Sequence, residues 1–300
     1  MAVPCCLVHL PMTRSAVLLV NWNGWEDTIS CVNSLQETDC AVSYKIIIID
    51  NCSTDDSVRR IKEAFPEIEL IKNDSNLGFG GGCNAGLLRS MTDNAEFVWL
   101  LNNDTNVYAN SLQELLNTTD SDSNIGIAGS VLYYMNNTQS IQTWGGGYVS
   151  FWTGMAKHIH DKRNAPKLQY ITGASMLIRV KALREVGIFD DTSYFMYWED
   201  TDLCYRFVKN GWRLAVAEKS KVLHKESASF KNNNYLLVRY FNQSAVMFFC
   251  KFYRFCLIPV LVGLSGRLIK RVIYNDKAGF KEITLILRHQ LKNSFLRLFK

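Results

Sequence analysis

The chain has 300 residues, 48% of them hydrophobic and 20% charged, with a formal net charge of +5. That composition supports a large buried core and excludes a disordered or repeat-fibrous chain, and the length suits one large domain with an appendage. The charge is divided unevenly: from residue 230 onward thirteen Lys and Arg face two acids (Asp276 and Glu282), about +11, whereas residues 1–229 carry 20 basic and 26 acidic residues, about −6. Nine cysteines, an odd number scattered without Cys-x-x-Cys pairs or flanking histidines, read as reduced packing thiols of a cytosolic protein. Residues 1–11 carry no basic group ahead of their short apolar stretch and make a poor signal peptide, with Met12 an equally good start.

Residues 16–20 are an apolar run broken by Asn21-Trp22-Asn23-Gly24, after which Ile29, Val32 and Leu35 recur near helical spacing: strand, turn, helix. The scheme repeats. Residues 46–49 are continuously apolar, as in a strand buried on both faces, and end in Asp50-Asn51. Ser53-Thr54-Asp55 then supplies N-cap types for a helix reaching Ala64. A third strand at 69–71 leads into Asn76-Leu77-Gly78-Phe79-Gly80-Gly81-Gly82 and a helix over about 83–90, and a fourth at 97–101 ends in Asn102-Asn103-Asp104. Strands that alternate with helices and end in polar residues describe an α/β fold with an open, mostly parallel sheet, whose ligands bind outside the strands' carboxyl ends. Asn21, Asp50, the glycine stretch and Asp104 are therefore expected on one binding edge.

Further along, the pattern predicts a helix over 110–117, a strand over 125–132, a glycine-loosened hairpin over 143–153, and a strand over 169–179 that reaches a site at Thr172-Gly173-Ala174. A short helix over 181–186 and a turn at 187–190 lead to the aromatic run from Tyr194 and to Trp198-Glu199-Asp200-Thr201-Asp202, with a helix over 201–210. His224 ends the next apolar segment. From Tyr235 the chain turns aromatic, basic and amphipathic. Ile283, Leu287, Leu291, Phe295 and Leu298 share a helical face, while Lys251 and Arg254 interrupt any span, so the pattern suits helices lying on a membrane surface. The expected organisation is a tail at 1–14, a catalytic-type domain at 15–230 and a basic membrane-associating region at 231–300.

The motifs Val20-Asn21-Trp22-Asn23, Ile49-Asp50-Asn51-Cys52-Ser53-Thr54-Asp55, Asn76 to Gly82, Leu100-Leu101-Asn102-Asn103-Asp104-Thr105, Gly173-Ala174 and Trp198 to Leu203 stand in the order seen in family 2 glycosyltransferases. The chain resembles that family, and most of all its rhamnosyltransferase-like branch of bacterial polysaccharide synthesis, over about residues 16–225. The resemblance implies a GT-A fold, a nucleoside-diphosphate sugar donor, a divalent cation (Mg2+ or Mn2+) and inversion at the anomeric carbon. It further implies that Asp50 reads the pyrimidine base, that Asp104 and His224 are metal ligands, and that Asp200 is the catalytic base. Many relatives carry two carboxylates at the metal motif; Asn102-Asn103-Asp104 offers one.

Such a transfer needs a cation to neutralise the departing diphosphate, a base for the acceptor hydroxyl, and a pocket that fixes the geometry. Substrate contacts are expected from Asn21, Asp50, Asn51, Gly78, Gly80, Asn102, Asn103, Trp198 and Glu199. Each has a plainer alternative: an N-cap for Asp104 or Asp200, an Asx turn for Asp50, core packing for the aromatics. Spacing alone does not choose the base among Glu199, Asp200 and Asp202; the family position selects Asp200. The glycine stretch follows the third strand and does not fit Gly-x-Gly-x-x-Gly, which excludes a dinucleotide fold. The reading is transfer of a sugar, rhamnose from its dTDP form in the first place, to a lipid-pyrophosphate-linked saccharide in O-antigen or capsule synthesis. It is placed at the inner face of the cell membrane, with no nucleic-acid partner and no oligomeric state specified. The rivals are a non-catalytic sugar-nucleotide scaffold and a nucleotidyltransferase.

Overall fold

The computed structural model describes residues 14–41, 43–225 and 234–298, with side chains of the last helix described to residue 289. The 1–13 tail and the expected apolar positions Leu291, Phe295 and Leu298 lie outside the described side chains. The chain opens with β1 (Ser15–Asn21), α1 (Trp25–Gln36), β2 (Tyr44–Asp50), α2 (Ser57–Ala64), β3 (Glu69–Lys72), α3 (Gly78–Thr92) and β4 (Phe97–Asn102). It continues through β5 (Thr105–Val107), α4 (Ser111–Asp120), β6 (Ile125–Tyr134) and β7 (Asn137–Trp144). Next come β8 (Gly146–Ser150), β9 (Met155–His158) and β10 (Tyr170–Ile171), then β11 (Ser175–Arg179), α5 (Val180–Val186), α6 (Glu199–Lys209) and β12 (Arg213–His224). Three helices finish it: α7 (Asn234–Phe252), α8 (Leu257–Ile273) and α9 (Lys277–Leu298).

The α/β architecture is as expected, and the main sheet runs β3-β2-β1-β4-β11-β6-β12-β5, with β7 paired to β6. Its first half, β3 to β4, is parallel, in a register that sets Asn21 beside Asp50 and Val20 beside Asn102. Beyond β4 the sheet is mixed. β11 enters antiparallel between β4 and β6, β12 runs parallel to β6, and β5 is antiparallel to β12. The reversal has a covalent origin: β10 and β11 are one apolar run interrupted at Thr172-Gly173-Ala174, and that interruption lies against the end of β4, where the Asn102 amide donates to the Ala174 carbonyl at 3.1 Å. A second, three-stranded sheet, β10-β8-β9, stands beside the main one. The predicted hairpin is therefore shifted: Gly145 (φ +75°) hands the chain from one sheet to the other, and the hairpin proper is β8–β9, turning at Gly154 (φ +61°).

Alternate residues of the parallel strands serve opposite faces, as the period of two requires. Val17, Leu19 and Ile48 pack with Val32 and Leu35 of α1, while Leu18, Ile47 and Ile49 pack with Leu87 of α3. The second of these clusters runs without a break into Phe248 and Phe249 of α7, Leu264 of α8 and Ile283 of α9. The boundary expected at 230/231 thus separates a charge regime but not two cores. Among the described residues no helix is long and apolar enough to cross a membrane.

Candidate functional site

Three strand ends and one helix start meet at the edge the sequence singles out. β4 ends at Asn102, and the turn Asn103-Asp104 leads into β5, which pairs with the end of β12 so that Thr105 faces His224. The Lys225 amide donates to the Asp104 carbonyl at 3.0 Å and closes this corner. Residues 120 apart in sequence are thereby brought into contact: His224 Nε2 stands 3.3 Å from Asp104 Oδ1 and 3.4 Å from Asn102 Nδ2. On the ring's other side, Nδ1 lies 2.8 Å from Oε1 of the buried Gln142. An amide oxygen only accepts, so this contact puts a proton on Nδ1 and turns Nε2 toward the carboxylate. Two such groups facing each other suit a shared cation.

The donor set also fits such an ion. Imidazole nitrogen and carboxylate oxygen both serve Mn2+ and Mg2+, which keep several positions for phosphate oxygens and water. Among the described residues no group of three His, Cys, Asp or Glu side chains converges.

Asp200 belongs to the same edge through Gly173. Its Oδ2 accepts the Gly173 amide at 2.9 Å, and its Oδ1 accepts the Thr201 amide at 2.6 Å and the Thr201 hydroxyl at 3.1 Å. Since the neighbouring Ala174 carbonyl is bonded to Asn102, Asp200 and Asp104 are separated by only a few residues of backbone, on the order of 10–15 Å at about 3.8 Å per step. α6 starts two residues earlier than expected because Tyr197 (φ 66°) and Trp198 (φ 69°) turn the chain left-handed, and this places both Glu199 and Asp200 in the first helical turn. Left-handed backbone at two bulky residues is strain of the kind that surrounding packing must hold in place.

The geometry separates the three carboxylates. Asp202 is fully buried and held in ion pairs with Arg206 and Lys251, each at 2.7 Å, so it is not open to a substrate. Glu199 is 6% exposed, and its Oε2 has no hydrogen-bond partner. Burial, and then the charge of Asp200, push the Glu199 carboxyl up to about 8. Burial also raises Asp200 above the ordinary carboxylate range, opposed in part by hydrogen bonds from Gly173 and Thr201 and, less, by nearby His158. Both carboxyls are raised, but the hydrogen bonds that favour the charged form are at Asp200 and not at Glu199 Oε2, so Glu199 is the firmer proton holder of the two.

The other expected substrate residues divide sharply. Asp50 sits 2% exposed at the end of β2, accepting from Asn21 Nδ2 at 2.9 Å and the Ser53 amide at 3.0 Å, with lone pairs left over. Asn21 does not line a pocket: it is fully buried, donates to Asp50 and Ser53, and accepts from Thr28, so it orients Asp50 from beneath. Asn51 is corrected too. Its amide donates to Asn76 Oδ1 and the Gly78 carbonyl and accepts from Asn73 and the Leu77 amide, which uses all four of its hydrogen-bonding positions on the chain that leads into α3. Asn103 is half-buried and ties β4's turn to Thr28 of α1 at 2.9 Å.

The glycine stretch is the first turn of α3 rather than an open loop. The amides of Gly78 and Phe79 are already bonded, to Asn76 Oδ1 and the Phe195 carbonyl. Gly78 (φ +73°) has no side chain because a Cβ would strike that same carbonyl; at Gly80 a Cβ would press on Phe189. These glycines let α3 approach the 189–199 segment, and they offer Gly78 and Phe79 amides to no ligand. Trp198 is likewise corrected: it is 4% exposed, with its ring 4.9 Å from Phe248 and 5.5 Å from Phe249 of α7. It is core, not a sugar platform. Gln142 and His158 went unpredicted. A lone Gln in a strand carries no signal in one sequence, and His158 shows only as one of five histidines.

A mixed α/β sheet thus gathers a carboxylate–imidazole pair and a helix-start aspartate at one strand-end edge, where open α/β sheets bind their ligands. Residues 16–187, more than half of the chain, match the model of "Glycosyl transferase family 2", and the chain belongs to that family. Among curated relatives, it is 26% identical over 207 residues to the N-acetylglucosaminyl-diphospho-decaprenol L-rhamnosyltransferase of Mycobacterium tuberculosis, covering 61% of this chain and 67% of that protein. It is 21% identical over 273 residues to a low-salt glycan biosynthesis hexosyltransferase of Haloferax volcanii, covering 88% and 86%. In three dimensions it is similar to a mannosyltransferase of Pyrobaculum calidifontis solved with GDP-Man and Mn2+ (TM-score 0.57, 15% identity, 93% of this chain and 75% of that one). It is also similar to GalNAc-T7 solved with UDP, GalNAc and Mn2+ (TM-score 0.57, 18% identity, 72% of this chain), though it spans only 44% of that chain. The fold is the GT-A fold these glycosyltransferases share.

Proposed function

We propose that the chain is an inverting, metal-dependent glycosyltransferase that moves a sugar from a nucleoside-diphosphate donor to a lipid-pyrophosphate-linked saccharide. The observation that carries this is the convergence of Asp104, His224 and Asp200 on one strand-end edge, with Asp200 tethered through Gly173 to the strand that delivers Asp104. Asp104 and His224 would hold Mg2+ or Mn2+, which when bound supplies Lewis-acid neutralisation of the leaving diphosphate. Asp50, aimed by Asn21, accepts the N3–H of a uracil or thymine. Asp200, fixed by three hydrogen bonds, takes the proton of the acceptor hydroxyl as that oxygen bonds to the anomeric carbon and the nucleoside diphosphate departs. Protonated Glu199 beside it adds no second negative charge.

Rhamnose from its dTDP form is the donor favoured, because a mycobacterial relative at 26% identity is named a rhamnosyltransferase acting on a decaprenol-diphosphate-linked sugar. Its product would serve a surface polysaccharide such as O-antigen or capsule, made at the inner face of the cell membrane. A panel of nucleoside-diphosphate sugars, assayed for nucleoside-diphosphate release with and without Mg2+ or Mn2+, tests the reading. Metal-stimulated release with one donor is expected. Release of pyrophosphate would instead make it a nucleotidyltransferase, and no turnover with any donor would leave a sugar-nucleotide scaffold.

A further inference from the structure

The three C-terminal helices are unequally placed. α7 is largely interior: Phe248 and Phe249 are 0% and 1% exposed against Trp198, and Lys251 is ion-paired to Asp190 and Asp202. α8 is two-faced. Val260, Gly263 and Leu264 point inward, while Ile258 (42%), Val262 (48%), Ile269 (61%), Val272 (64%) and Ile273 (72%) are exposed. At 100° per residue these five fall within an arc of about 100° opposite the buried side, a stripe about 22 Å long. A soluble helix puts its apolar side inward; this one has an apolar side in each direction.

A turn of the catalytic unit extends the stripe. Gly154, in the β8–β9 hairpin, packs so closely on α8 that a Cβ there would meet the Pro259 carbonyl and the Gly263 backbone, and Arg267 Nη1 donates to the Gly154 carbonyl at 3.0 Å. On the helix surface Pro259 borders the exposed stripe, about 40° from its edge, and Gly263 lies farther in, on the buried side. The docked turn carries the exposed Trp152 (73%) and Met155 (43%), and Phe151 beside Trp152 packs on Tyr253, two residues before the exposed Phe255 (66%) that precedes α8. Exposed cations rim the patch, Arg254 over the Phe255 ring and Lys270 over the Tyr274 ring, and no acid occurs between residues 254 and 275. An apolar band with aromatic and basic edges matches the hydrocarbon boundary and the anionic headgroups of a bilayer.

We propose that the outer stripe of α8 and the Trp152–Met155 turn together form a surface that seats on anionic lipid. The occupant is a bilayer rather than a second copy, because every charge along the stripe is positive and two such faces would repel. The biological purpose rests on the lipid-linked acceptor proposed above, but the surface itself does not. Since the turn belongs to β8–β9, attachment is built partly from the catalytic unit, and helix α8 and that unit insert as one piece. Deleting the chain after Tyr235 would be a poor test, for it strips α7 from Trp198 and opens the core.

The test uses the full chain with vesicles of phosphatidylglycerol and phosphatidylethanolamine, with phosphatidylcholine vesicles as the neutral control, scored by flotation. Wild type should float with anionic vesicles and be largely released in 1 M salt or on neutral vesicles. V262D/I269D should lose vesicle affinity by about tenfold or more, and W152S by a smaller factor. All three sites are solvent-exposed, so the variants should keep the wild-type melting temperature and donor turnover in vesicle-free solution. Wild-type flotation by both variants, or a wild type that ignores anionic vesicles, overturns the proposal. So does a concentration-dependent dimer that V262D/I269D abolishes, which would assign the stripe to a second copy. Donor turnover is read separately, so failure of the transferase reading would leave the lipid result standing.

Discussion

The two flanks of the binding edge use the same kinds of residue to opposite ends. On the β1–β2 flank, Asn21 and Asn51 are buried and bonded within the chain, Asn51 at every position it has. On the β4–β12 flank, His224 Nε2 and the Asp104 carboxylate face one another at 3.3 Å, and Asp200 is fixed in place but partly open to solvent. A buried polar group costs free energy unless it is paired, so the first flank is satisfied by construction and rigid. The second keeps polar atoms free for the metal and acceptor proposed above. Shape belongs to one side and chemistry to the other.

Asp200→Asn is the sharpest way to break that division. It removes the proposed base while preserving most of the bonds from Gly173 and Thr201, so kcat should fall by about 10³-fold with donor affinity unchanged within a few-fold. Single-turnover kinetics and donor titration separate the two, and near wild-type turnover would move the base elsewhere. In the parent enzyme the acid limb of kcat should lie above the ordinary carboxylate range, because burial raises Asp200.

His224→Ala tests the other half of the open flank and should remove most metal stimulation. Gln142→Leu is more discriminating. It touches no substrate, but without its oxygen the imidazole loses the partner that fixes its tautomer, and Mn2+ affinity should weaken by about 10- to 100-fold. Direct Mn2+ titration reads this apart from activity; unchanged affinity would make Gln142 a packing residue.

How much of this was legible follows from what a sequence displays. Strand ends announce themselves, since an apolar run must stop at polar residues, and Asp50, Asp104 and His224 were located that way together with the family order. Whether a strand-end asparagine faces a ligand or the protein depends on partners far along the chain, such as Ser53 for Asn21 or Asn73 for Asn51, and periodicity is blind to them. Trp198 shows the same limit. An aromatic beside a catalytic-type acid looks like a sugar platform until α7, some forty residues later, covers it. The reversal at β11 is equally invisible in a buried strand, where parallel and antiparallel neighbours impose one pattern.

On the satisfied flank the expectation inverts: stability falls and chemistry persists. Asn51→Ala leaves the Leu77 amide and the Asn73 amide without their acceptor, and should cost about 2–3 kcal/mol in urea unfolding while kcat of the folded fraction stays near wild type. A large loss of kcat without loss of stability would return Asn51 to the substrate.

The last effect concerns the boundary between the flanks, where Glu199 is buried like the first and titratable like the second. In the folded chain it holds its proton to about pH 8, whereas unfolded it ionises near 4.5. Between those values the unfolded state binds fewer protons, so Glu199's contribution to stability, complete below pH 4.5, declines as pH rises and is gone above about 8. Gln mimics the protonated form and escapes this decline. Glu199→Gln should therefore match wild type in urea midpoint near pH 4.5 and exceed it at pH 8.5, with the gap widening as pH rises between them. A gap that does not widen with pH would mean that Glu199 is ionised in the fold. Asp200 would then work beside a second negative charge, and the assignment of one proton holder and one base would have to be reversed.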